Sequence, residues 1–170
     1  MTTGPKPPSH FSLAASIPEV LTVSETISAK SSLADKPFSK WYNLSPTNTK
    51  PIIKINNIAY QAGDEILRIY NSNFHIETKE DNSPLTTADK NSHLIIEKGL
   101  KALFPDIPIL SEEGININYS ERSNWDYFWL IDPLDGTKEF IKKNGEFTVN
   151  IALIKKGVSI FGSVYAPYLK

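Results

Sequence analysis

Along the chain, Ile55, Ile58, Ala59, Ala62, Ile66 and Ile69 recur at steps of three and four, the stripe of an amphipathic helix. Pro51 is a favourable first helical residue, and Asn71-Ser72-Asn73 supplies a polar stop. Phe74 to Thr78 reads as a short strand, and Lys79 to Pro84 as a polar turn. A second helix is predicted from Thr86 or Thr87, with Asp89 in its first turn, where unpaired amides and the helix dipole favour a carboxylate. Leu94, Ile95, Leu100 and Leu103 are assigned to its buried side. After Phe104-Pro105 the texture turns to strand. Ile107 to Ser111 is a short candidate, and Tyr127 to Ile131 is a continuous apolar run suited to a buried strand. Phe147, Val149, Ile151 and Leu153 alternate, and Lys156-Gly157 turns the chain into a hairpin partner, Val158 to Tyr165. Helices followed by largely antiparallel strands predict an α+β fold.

Residues 1 to 49 differ in texture. They are rich in Ser, Thr and Pro, and their short apolar groups lack periodicity. Too little apolar surface is available there to offset ordering entropy, so a disordered extension is expected, with a docking peptide as the alternative. The sequence contains no internal repeat.

Composition narrows the function. The chain of 170 residues is 40% hydrophobic and 22% charged, ordinary for a globular protein. A net charge of -1 gives no electrostatic reason to expect nucleic acid or an anionic membrane as partner. With 0 cysteines, disulfides, thiolate metal sites and cysteine nucleophiles are excluded. No apolar run reaches the roughly 18 residues a transmembrane helix needs. Pro5, Pro7 and Pro8 stand where a signal peptide would be basic, and early acids oppose a transit peptide. A cytoplasmic protein is expected, with peripheral membrane association left open.

The chemistry concentrates in Trp129 to Phe140. An apolar strand delivers Asp132 and Asp135 at its carboxyl end, with Pro133 interrupting the ladder between them. Gly136 permits a tight approach, and Thr137 to Ile141 opens a short helix whose first amides suit a phosphate. Carboxylates beside phosphate require a hard cation between them, for which Mg²⁺ is the usual solution. Taken alone, Asp135-Gly136 is simply a bend. Two further acidic sites change that balance: Glu112-Glu113 after a short strand, and Asp89 at a helix start.

Three segments, Ser83-Pro84-Leu85-Thr86-Thr87-Ala88-Asp89, Glu112-Glu113 and Asp132-Pro133-Leu134-Asp135-Gly136-Thr137, together resemble the inositol monophosphatase superfamily. Lys138-Glu139-Phe140-Ile141 and Asn144 to Leu153 resemble its 3′(2′),5′-bisphosphate nucleotidase branch. The resemblance runs from about Pro51 to Pro167. It implies the amino-terminal half of a layered helix and sheet sandwich. It implies metal ligation by Glu112, Asp132, Asp135 and the Leu134 carbonyl, with Mg²⁺ as cofactor. Gly136 and Thr137, beside Glu112, Leu134 and Asp135, would contact the substrate phosphate. Asp89 and the Thr137 hydroxyl would activate a water for in-line attack.

The implied reaction is removal of the 3′-phosphate from adenosine 3′,5′-bisphosphate, with an inositol monophosphatase activity or a noncatalytic metal- or phosphate-binding module as alternatives. Family members continue into a second half, carrying a further Asp ligand in a Trp-Asp-x-Ala-like motif. No such motif follows Tyr165-Ala166-Pro167, so residues 50 to 170 are expected to form an incomplete site, weakly active or inactive alone. A fragment, or a second chain supplying the rest, would account for it. The strand from Phe147 to Ile154 would then lose neighbours and become an exposed edge.

Blander roles are expected elsewhere. Glu113 is read as a supporting or solvated acid. Lys79 and Asp81 either border the site or stabilise a turn. His10, His75 and His93 lack ligand spacing and are assigned no chemistry, and Trp41, Trp125 and Trp129 are assigned to packing.

Overall fold

The computed structural model describes residues 21–23, 50–79 and 84–169; the expected extension lies outside them, apart from a strand β1, Leu21–Val23. Helix α1 spans Lys50–Tyr70 and buries the whole isoleucine and alanine stripe that its periodicity marked. A two-stranded ribbon, β2 (Ile76–Thr78) and β3 (Pro84–Thr86), follows. Part of the expected turn is therefore a strand: Pro84 opens β3, a position where a missing N–H is tolerated.

Helix α2, Thr87–Leu103, starts where its cap predicts. Its buried face is Ala88, Asp89, Ser92, Ile96 and Leu100. Leu94, expected inside, is 60% exposed because it points away from that row. Two polar residues occupy the buried face instead, and both serve the site described below.

Strands β4 (Ile109–Ser111), β5 (Tyr127–Asp135), β6 (Thr148–Lys155) and β7 (Val158–Tyr165) complete a five-stranded sheet in the order β1-β7-β6-β5-β4. Short helices α3 (Tyr119–Arg122) and α4 (Thr137–Ile141) lie on either side of β5 in sequence. All pairings are antiparallel except β4 with β5. That arrangement bears out the α+β expectation. β6 is no edge, however: it pairs with β5 on one side and β7 on the other. The hairpin turn uses Lys156 at φ 47° and Gly157 at φ 81°, left-handed values that match strand twist. One sheet face carries Trp129, Ile131, Val149, Ile151, Leu153 and Tyr165 into a core shared with α1 and α2.

No helix among the described residues is long and apolar enough to cross a membrane.

Candidate active site

Strand β5 does not stop at Pro133. Asp132 pairs with Asn150 and Asp135 with Thr148, so three steps on β5 oppose two on β6. The surplus residue makes a bulge at Pro133-Leu134, where the missing proline N–H costs no ladder bond. Ser92, fully buried on α2, donates its hydroxyl to the Pro133 carbonyl at 2.8 Å and ties the bulge to the helix.

Gly136 then takes φ 92°, ψ 35° and caps α4. This turn delivers Thr137 to Asp89. The Thr137 hydroxyl lies 2.9 Å from Asp89 Oδ1 and 3.2 Å from the Leu134 carbonyl. Asp89 is only 1% exposed. Its Oδ2 accepts the Thr86 N–H at 2.7 Å and the Thr86 hydroxyl at 2.6 Å, a capping box that fixes the carboxylate. Oδ1 is thereby left to face Thr137.

The remaining acids form an electrostatic group. Asp132 is pushed up to about 7 by burial, by the charges of Glu112 and Asp135, and by hydrogen bonding to Glu112, against a Leu134 amide that lowers it. Burial raises Glu113 as well, helped by Asp89 and Glu112 and opposed by Lys79. The Lys79 ammonium bridges Glu113 at 2.5 Å and Glu112 at 3.1 Å. Burial pulls that ammonium down, but its two carboxylate partners outweigh burial and leave it above its ordinary value. Asp135 is exposed and accepts from Asn150 Nδ2 at 3.3 Å.

The structure thus joins Asp89, Thr137 and Leu134 directly, and groups Glu112, Asp132 and Asp135 by mutual charge. Among the described residues, no three His, Cys, Asp or Glu side chains already stand as a cage around one ion. The donor set nonetheless fits a hard cation: carboxylates that repel one another, beside a carbonyl, are an all-oxygen set suited to Mg²⁺. Of the other residues weighed, Lys79 borders this acidic group, whereas Asp81, His10 and Trp41 lie outside the described residues. Trp129 is fully buried packing. Ser92 and Asn150 acquire site contacts that only the fold reveals; Ser92's one sequence signal is a polar residue among apolar steps.

The raised acids have a measurable consequence. A carboxyl raised in the folded state stabilises the fold below its unfolded value near 3.8, and that contribution disappears as pH rises through about 7. The metal-free chain should therefore lose thermal stability between about pH 4 and 7. Asp132→Asn should flatten that slope. Thermal melts in chelator across the range check this; a wild-type slope retained by the variant contradicts it.

A family model described as the inositol monophosphatase family matches residues 48–170. The 3′(2′),5′-bisphosphate nucleotidase CysQ of Salmonella typhimurium is 51% identical over 119 residues, 69% of this chain and 48% of that protein. Crystal-structure comparison gives CysQ from Bacteroides thetaiotaomicron at TM-score 0.55 and 41% identity, over 72% of this chain and 44% of that one. The extragenic suppressor protein suhB from Bartonella henselae gives 0.62 and 28%, over 69% and 45%. The chain spans about half the length of the curated relatives it matches. Its matched region contains the Asp89–Thr137 contact and the acidic group, and the chain belongs to the inositol monophosphatase family.

Proposed function

We propose that this chain supplies the metal- and proton-handling side of a Mg²⁺-dependent phosphomonoesterase acting on nucleotide bisphosphates. The observation that carries the reading is the 2.9 Å contact between Thr137 and a buried, immobilised Asp89, beside mutually repelling carboxylates. Glu112, Asp132, Asp135 and the Leu134 carbonyl would hold the cation. When bound, Mg²⁺ supplies positive charge opposite carboxylates and phosphate alike. Gly136 and Thr137 would contact the scissile phosphate.

Asp89 and Thr137 move the proton. As water attacks phosphorus, it gives a proton to Thr137 Oγ1, whose own proton passes to Asp89 Oδ1. The P–O3′ bond breaks in line. The leaving oxygen takes a proton from solvent, to which Asp89 later returns the one it accepted, and a nucleoside 5′-monophosphate and inorganic phosphate separate. No phosphoenzyme forms.

Similarity to proteins named 3′(2′),5′-bisphosphate nucleotidase supports adenosine 3′,5′-bisphosphate as substrate. The complete reaction is assigned to a protein of the relatives' length containing this chain, the remaining length being joined to it or supplied by a second polypeptide. Such a protein should show the higher kcat/KM on adenosine 3′,5′-bisphosphate than on inositol monophosphate; the reverse order would overturn the substrate assignment. Residues 1–170 alone should release phosphate at under about a hundredth of that rate, since misplacement by about 1 Å already costs roughly that much. Equal rates would show that these residues suffice.

A further inference from the structure

His93 lies on α2 one turn beyond Asp89, and its side chain is 14% exposed. Its Nδ1 stands 2.8 Å from Ser111 Oγ, at the end of β4 and next to the acidic pair Glu112-Glu113. The same Ser111 hydroxyl oxygen accepts the Glu113 N–H at 3.3 Å, and the Ser111 carbonyl accepts the Gly114 N–H at 3.2 Å. His93 Nδ1 and the Ser111 hydroxyl thus share one hydrogen bond, which ties the helix to the start of the acidic loop. On the other side of the ring, Nε2 faces Glu97 Oε2 at 3.9 Å. Beside this contact a cavity of about 240 Å³ opens, lined by His93, Glu97, Ser111, Glu113 and Gly114. Packing alone therefore leaves the loop unsupported on that side, and hydrogen bonds must set its path.

Helix α2 thus holds two acidic segments from three positions. Asp89 meets Thr137, Ser92 holds the Pro133 carbonyl, and His93 holds Ser111. We infer that His93 is a positioning residue: through Ser111 it sets the Glu112-Glu113 loop against the helix that carries Asp89, and so brings Glu112 to the cation. The inference rests on the reading of Glu112 as a metal ligand. His93 itself touches neither cation nor phosphate. Its effect is on affinity for Mg²⁺ and on the order of the loop.

Two variants separate the hydrogen bond from the shape of the ring. His93→Phe keeps a planar ring and removes Nδ1, whereas His93→Asn places an amide oxygen near the Nδ1 position. Both are compared with the wild-type chain by calorimetric Mg²⁺ titration and, without metal, by amide hydrogen exchange at Glu113 and Gly114. His93→Phe should weaken Mg²⁺ binding about tenfold, the scale on which partners one step removed from a ligand act. It should also speed exchange at both amides severalfold while leaving β6 unchanged. His93→Asn should stay within about threefold of wild type in both readouts, allowing for its shorter reach. A Phe variant indistinguishable from wild type, or an Asn variant as impaired as Phe, overturns the inference. If the wild-type chain takes up no Mg²⁺ saturably, the metal reading fails instead, and loop exchange alone decides the role of His93.

Discussion

Replacing Asp89 with asparagine is expected to lower phosphate release by about a thousandfold while leaving the fold intact. Asparagine can keep its oxygen toward the Thr86 amide and hydroxyl, the partners of Asp89 Oδ2 at 2.7 and 2.6 Å. Its amide nitrogen then faces the Thr137 hydroxyl, which becomes the acceptor and turns its proton to the Leu134 carbonyl 3.2 Å away. Each hydrogen bond that Asp89 makes has a counterpart in this arrangement, so the melting temperature should move by only a few degrees. The proton leaving the attacking water, however, no longer meets a carboxylate. Turnover and melting are to be measured on one preparation of a protein of the relatives' length that contains this chain. Turnover within tenfold of wild type would remove Asp89 from the proton path.

Gly136→Ala should act through the fold itself. The residue sits at φ 92°, where an L side chain is strained by about 1–2 kcal/mol. An added Cβ would stand 2.7 Å from the Glu146 carbonyl oxygen and 3.2 Å from Phe147 Cα. Both are main-chain atoms at the entry to β6 and have no rotamer to escape into, which adds about 1–3 kcal/mol. A total near 3 kcal/mol is a large share of a domain's usual 5–15 kcal/mol. Urea unfolding of the 170-residue chain measures it directly. A loss below about 1 kcal/mol would show that the turn relaxes freely, contrary to the geometry.

Much of this arrangement was legible beforehand, for reasons that are local. The isoleucine stripe of α1, the alternation of β6 and the Lys156-Gly157 turn each depend on neighbours a few residues away. The acids at 89, 112, 132 and 135, with Gly136 and Thr137, stood out because their residue types and order are chemically unusual. What the sequence concealed depends on distant partners. Leu94 and Ile96 are equally apolar, and only the docking of α2 puts Ile96 inside and Leu94 in solvent. The bulge that carries β5 past Pro133 exists because β6 supplies Asn150 and Thr148 two residues apart. Pro84 read as turn because β3 is three residues long and paired with an exposed partner. Ser92, His93 and Asn150 find their contacts 41, 18 and 15 residues away, so no local pattern announces them. These polar residues hold the acidic segments in place, and they were the least visible in sequence.

The claim on which the account stands is that Glu112, Asp132 and Asp135 serve one cation. Its most direct test is calorimetric titration of the metal-free 170-residue chain with Mg²⁺, beside Asp132→Asn and an Asp106→Asn control at an exposed acid outside the site. The account predicts one saturable binding event, unchanged in the Asp106 variant and weakened about tenfold or more in the Asp132 variant, a difference of about 1.4 kcal/mol. Binding that does not saturate, or that is equal in all three proteins, would contradict it.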